Sequence, residues 1–145
     1  RMYIIICLDD NNGLAFNHRR QSQDRIVAED IRKTVGEKKL WITDYSRKLF
    51  HSVSNLEISE NQKEKAKEGE YVFQELETLD TGDKRIEQFI IYRWNRVYPA
   101  DVSVEIGTEW KLTETEEFPG FSHEKLQKKF IAESRRRKDR TNRVL

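Results

Sequence analysis

A single cysteine, Cys7, excludes any disulfide within the chain. Its setting in the apolar run "YIIICL" reads as a small, inert hydrophobe in a buried strand. That run is too short for a membrane span or a signal-peptide core with its flanks, and Asp9 and Asp10 follow it directly. A soluble, cytoplasmic protein is expected, with no membrane partner. The glycine signatures of phosphate loops, GxGxxG and GxxxxGK[ST], are both missing, as is the GxSxG elbow of the serine hydrolases. His18, His51 and His123 are the three histidines, scattered with no HxH or HExxH spacing, so no metal site is expected. No internal repeat is present.

What is there is charge. The 145 residues suit one domain, and charged side chains (37%) slightly outnumber hydrophobic ones (36%). The formal net charge of +1 conceals an asymmetry: residues 135–145 carry six basic side chains against Asp139, a net of +5, which leaves −4 for the remainder. A body of that sign does not suggest a folded surface that wraps nucleic acid. Residues 1–134 are expected to form one α/β domain, and residues 135–145 a flexible or partner-ordered basic extension.

"MYIIICLDD" has the unbroken apolar pattern of a strand covered on both faces, and "DNNG" breaks it. From Ser22, read as an N-cap with Asp24 in the first turn, Val27, Ile31 and Val35 recur at four-residue spacing and Gly36 closes a helix. "KKLWITDYS", "NLEIS", "YVFQEL", "FIIYRW", "DVSVEI" and "GTEWKLTETEEF" read as strands, and "SRKLFHS" as a short helix. "ENQKEKAKEG" is a solvated helix or loop, "ETLDTGDKRIEQ" a turn with room for one helical turn, and "KLQKKFIAES" a strand or a helix. Strand and helix alternate early, which implies parallel crossovers, and strands follow one another late, which implies antiparallel edges.

Three polar clusters are candidates for chemistry. In "NHRRQSQD", Asn17, Arg19, Arg20, Gln21 and Asp24 crowd a strand-to-helix junction, where backbone amides and guanidinium forks suit an anion and Asp24 suits a heterocycle's amine edge. The alternative is that Ser22 and Asp24 merely cap the helix while the arginines are solvated. In "YRWNRVYPAD", Arg93 and Asn95 share one strand face and Trp94 the other, either lining a pocket or stapling an edge strand with Trp94 and Tyr98. In "EFPGFSHEK", His123 beside Ser122 and Glu124 suggests a base near neutral pH.

These strings, in this order, resemble dihydrofolate reductase. "CLDDNNGLAFN" and the helix entered near Asp24 are similar to that family's opening strand and acid-bearing helix. "LWITDYSRKLF" is similar to its second strand and cofactor helix, which implies Thr43, Tyr45, Ser46 and Arg47 near a cofactor phosphate. "FIIYRW" and "EWKLTETEEFPGFSHEK" resemble its late buried strand and closing hairpin, so the likeness spans most of residues 2–131. It implies a mixed sheet, parallel early and antiparallel at the carboxyl-terminal edge, flanked by helices. The chain departs from the family where "HRRQSQ" replaces Pro-Trp, and where the glycine-arginine and Gly-Gly pairs of the nicotinamide cradle are absent. Working folate reduction is therefore not expected, and the cofactor is left open.

"FNHRRQSQDR", "YRWNRVYPAD" and "EFPGFSHEK" also resemble a narrower family of short Gram-positive mobile-element proteins. These often carry the label ribonuclease Z, although the HxHxDH cluster of that enzyme is missing here. Two readings follow. One is a ligand protein that takes a small anionic or heterocyclic, nucleotide-like or pterin-like molecule at the strand carboxyl ends. Asn17, Arg19, Arg20, Gln21, Ser46, Arg93, Asn95 and His123 would bind it, with Asp24 as proton donor or anchor. The other is an interaction protein that meets a host protein or nucleic acid through its basic tail, for example as an anti-CRISPR-type inhibitor.

Overall fold

The central strand β1 (Met2–Leu8) is paired on both sides and covered on both faces, which explains its unbroken apolar sequence. Ile4, Ile6 and Leu8 face one apolar cluster with Phe89, Ile91 and Trp110, while Ile5 faces a second with Ile31, Phe73 and Trp94. The computed structural model describes residues 1–133 of the chain; the basic extension expected at residues 135–145 lies outside them.

Around β1 a seven-stranded sheet is assembled in the order β5 (Leu56–Ile58), β4 (Leu40–Ile42), β6 (Tyr71–Phe73), β1, β7 (Ile86–Arg93), β10 (Leu126–Glu133) and β9 (Trp110–Phe118). The pairings from β5 to β7 are parallel, and β10 runs antiparallel to both β7 and β9. The expected mixed α/β sheet is therefore present, with the parallel part built from the early sequence. "KLQKKFIAES" resolves as a strand, because its alternating residues serve β7 on one side and β9 on the other.

Helix α1 (Arg25–Val35) buries Val27, Ile31 and Val35 against one face of the sheet, worth about 1.5–3 kcal/mol for each side chain. Its N-cap is Asp24 rather than Ser22: Asp24 is extended, and its carboxylate accepts the Ile26 amide at 2.9 Å. Gly36, at φ 59, ends the helix by donating to the Arg32 carbonyl. A 3₁₀ turn (Asp44–Leu49) follows β4, and "ENQKEKAKEG" forms one helical turn, α2 (Gln62–Lys65). Gln62 is buried there and ties the carbonyls of Trp41 and Phe73 together, so that turn is not wholly solvated.

Several expectations are corrected. The polar knot is not a plain junction, because β2 (Gly13–Phe16) and β3 (Arg19–Arg20) make a hairpin inside it. Asn17 and His18 both take positive φ (52° and 60°), the geometry of a two-residue turn that matches strand twist. "DVSVEI" shortens to β8 (Val102–Ser103), which joins β2 in a separate three-stranded sheet. No helix stands between β6 and β7. Beyond Arg93, Asn95 is left-handed (φ 58°), so strand alternation stops and Arg93 and Asn95 do not share a face.

Candidate functional site at the amino end of helix α1

Where β1 ends, Asp9 is fully buried and accepts the amides of Asn11, Gly13 and Tyr98 together with the Gln21 side-chain amide. Burial alone would push this carboxyl up, but those four donors hold it below its ordinary value. Asp9 thereby fastens the hairpin and the 95–99 loop to the end of β1.

One step further along the chain, Asp24 joins α1 to the loop before β10. Oδ1 accepts the Ile26 and Phe121 amides (both 2.9 Å), and Oδ2 accepts the Ser122 amide (2.8 Å), the Ser122 hydroxyl (3.1 Å) and His123 Nδ1 (2.9 Å). Burial opposes ionisation, yet the hydrogen bonds from Phe121, His123, Ser122 and Ile26 outweigh it and hold the carboxyl far below the usual range. The loop comes close enough that a Cβ at Gly120 would lie 2.6 Å from Asp24 Oδ2, so glycine is required there. Asp24 has no side-chain exposure, so it reaches a ligand only through its partners.

Nδ1 of His123 donates to Asp24, and in the neutral imidazole of that tautomer the other ring nitrogen is an acceptor. Nε2 lies 3.0 Å from Ser22 Oγ and 3.3 Å from the Tyr98 hydroxyl. Trp94 stacks on the imidazole with centroids 4.7 Å apart and shields one ring face.

The other candidates are held elsewhere. Arg20 grips Glu75, two residues past β6, with Nε at 2.7 Å and Nη2 at 3.0 Å, and Ser46 donates to the same carboxylate at 2.7 Å. Arg93 donates to the Asp9 carbonyl and to Asn12, and Asn95 to the Lys125 carbonyl. Among the described residues, neither shares a hydrogen bond with Asp24, His123 or Arg20. Asn17 sits at the hairpin tip, where its amide donates to Asp101, next to the exposed Arg19. Gln21 belongs to the Asp9 cluster, with its Oε1 buried and unpartnered.

A narrow cavity of about 20 Å³ runs between α1, β1 and the 3₁₀ turn. Cys7, Val27, Ile31, Phe73 and Trp94 line it, with Ser22, Asp24 and Glu75 among its polar groups. Burial, and secondarily the charge of Glu75, push the Cys7 thiol well up, so it is an apolar wall rather than a nucleophile. Ala28, Leu49 and Phe50 are walls of both this slot and a surface cleft of about 410 Å³, which Arg25, Glu29, Arg32 and His51 also line.

The resemblance places a cofactor phosphate near Thr43, Tyr45, Ser46 and Arg47, and these residues do not fit one. Thr43 and Tyr45 border a cavity with Glu60, Glu64, Glu75 and Glu77 against a single lysine, Lys63. Ser46 is bound to Glu75, and Arg47 pairs with Asp44 at 2.9 Å. A phosphate there would meet carboxylates.

No protein-family model matches the chain, and no curated protein matches it. Solved structures do. A dihydrofolate reductase from Enterococcus faecalis, complexed with NADP(H) and RAB-propyl, matches with a TM-score of 0.60 at 5% identity, over 91% of this chain and 95% of that one. The fold is therefore dihydrofolate reductase-like, and at that identity the likeness carries the fold alone. Among the described residues no helix is long and apolar enough to cross a membrane, and no cluster of metal-ligating side chains is present.

Glu75 is the site residue that sequence reasoning missed. A carboxylate toward the carboxyl end of the strand read from "YVFQEL" was the available signal, since such ends face ligands in open α/β sheets.

Proposed function

We propose that this chain is a ligand-binding protein of dihydrofolate reductase-like fold that takes a planar, pterin-like or nucleotide-like heterocycle and is not a nicotinamide-dependent folate reductase. The observation that carries this reading is the shared wall between the apolar slot and the open cleft. A ring entering between α1 and residues 49–53 would displace Phe50 and Leu49 and turn its amine edge toward Ser22 and Glu75. An anionic tail would then lie in the cleft against Arg25, Arg32 and His51. The cleft alone falls in the size range of small-molecule sites, about 300–1,000 Å³. His123 is the relay by which Asp24 orders the polar end, and Arg20 keeps Glu75 aimed. The acidic lining beside Thr43 and Tyr45 is the reason for setting a nicotinamide dinucleotide aside.

Thermal shift against pterins, nucleosides, nucleotides and nicotinamide cofactors tests the reading. A ligand at 100 times its dissociation constant adds about 2.7 kcal/mol of stability. A heterocycle is expected to raise the melting temperature, with the shift lost in Ala28→Phe, which fills the cleft wall, and reduced in Arg32→Glu. No shift with any heterocycle, or a shift indifferent to both substitutions, overturns it.

A further inference from the structure

We propose that Ser22, His123 and Asp24 form a nucleophilic relay that hydrolyses short-chain, acetyl-type esters, with Ser22 as the attacking group. The chain of contacts is continuous: Ser22 Oγ lies 3.0 Å from His123 Nε2, and His123 Nδ1 lies 2.9 Å from Asp24 Oδ2. These are the roles and separations by which such a triad is recognised on unrelated folds, whatever the order in sequence. No GxSxG elbow is required for them.

Asp24 and His123 are each also fixed from outside the triad. The Phe121 and Ser122 amides hold the carboxylate, and Asp24 sets the imidazole tautomer so that Nε2 faces the hydroxyl. Trp94 keeps the ring plane in place. The Tyr98 hydroxyl also approaches Nε2, at 3.3 Å, but of the two hydroxyls only Ser22 lines the cavity. That cavity, about 20 Å³, is little larger than the roughly 10–15 Å³ one water needs, so the acyl group it accepts is short.

In the reaction, the Ser22 oxygen bonds to the ester carbonyl carbon while its proton passes to His123 Nε2. The carbonyl oxygen takes up the negative charge beside the Arg25 and Val27 amides in the first turn of α1, which have no carbonyl partner within the helix, the Ile26 amide being held by Asp24. Collapse breaks the bond to the alkoxide, which leaves with the proton from Nε2, and Ser22 carries the acyl group. Water then attacks, again giving its proton to Nε2, and Ser22 is released with the acid. The net change is ester plus water to acid plus alcohol.

This inference rests on the slot being open to small molecules, as in the proposed function, but its test is separate. The full chain is treated with an alkyl fluorophosphonate, the adduct is located by peptide mass mapping, and hydrolysis of p-nitrophenyl acetate is followed in parallel. One adduct on Ser22 is expected, absent in Ser22→Ala and formed at least 100-fold more slowly in His123→Gln. p-Nitrophenyl acetate turnover should fall with it. Circular dichroism checks that both variants are folded, and Ser22→Ala removes only one hydroxyl. No adduct on the folded protein, an adduct on Ser122 or Tyr98, or labelling at an equal rate in His123→Gln overturns the inference. Heterocycle binding without labelling defeats the relay alone; labelling without heterocycle binding defeats the binding reading alone.

Discussion

Replacing Asp24 with alanine should remove more stability than any helix cap contributes. As N-cap, the carboxylate is worth about 1 kcal/mol. Its other bonds reach across the fold, to the Phe121 and Ser122 amides and to His123 Nδ1, nearly a hundred residues away. Removing the carboxylate orphans three donors in a site where the Asp24 side chain has no exposure. Each orphaned donor costs about 1–3 kcal/mol, and water entering the vacated space argues for the lower end. The total is about 4 kcal/mol, or a fall of about 12 °C in melting temperature for a chain of this size. Asp24→Asn keeps the Oδ1 bonds but turns an amide toward three donors, and should cost about half as much. Urea unfolding followed by far-UV circular dichroism gives both values. A loss for Asp24→Ala near 1 kcal/mol, the cap alone, would show that the loop before β10 is not held by α1.

Three further outcomes are expected. Arg20→Ala should cost about 2 kcal/mol, since it strands the Glu75 carboxylate (side chain 7% exposed). Arg20→Lys should recover less than half of that, because an ammonium cannot make both fork bonds; equal urea midpoints for Lys and Arg would contradict this. Asp9 and Asp24 are both held below their unfolded values, so the folded chain binds fewer protons there than the unfolded chain. The stability they contribute is complete above about pH 5 and drains as pH falls through the unfolded value near 3.9 toward the folded ones. Urea midpoints from pH 7 to pH 2 should therefore decline less steeply in Asp24→Asn, and parallel declines would count against the network. His18→Gly should stabilise the hairpin by about 0.5 kcal/mol, because the left-handed turn position costs a side chain more than glycine loses in entropy. A destabilised variant would show that the His18 side chain contributes to the hairpin beyond its backbone conformation.

How much of this was legible in the sequence depended on range. β1 and β7 announced themselves by apolar runs, since a strand covered on both faces has no polar phase to conceal it. α1 was visible because Val27, Ile31 and Val35 keep helical spacing, although the cap fell on Asp24 instead of Ser22. The β2–β3 hairpin was not visible: its turn is Asn17–His18, without the Asn-Gly signature, and β3 has two residues. "DVSVEI" alternates, yet β8 pairs β2 only across Val102 and Ser103, a limit that alternation cannot express. At the site, His123 and Asp24 each stand out in the sequence, but nothing local says that they touch. The same holds for Arg20 and Glu75, whose pairing cancels the anion-binding role that two adjacent arginines suggest.

On the proposed function, the cleft between α1 and residues 49–53 opens to a heterocycle while the surface beside Thr43 and Tyr45 rejects a nicotinamide dinucleotide. Titrating isotope-labelled protein with a pterin and, separately, with NADPH, and following amide resonances, tests it most directly. The pterin is expected to move the amides of residues 22–28 and 49–53 and the Trp94 indole, while NADPH leaves residues 43–47 and 74–77 in place. Shifts at 43–47 and 74–77 with NADPH, or pterin shifts confined to residues far from α1, would contradict it.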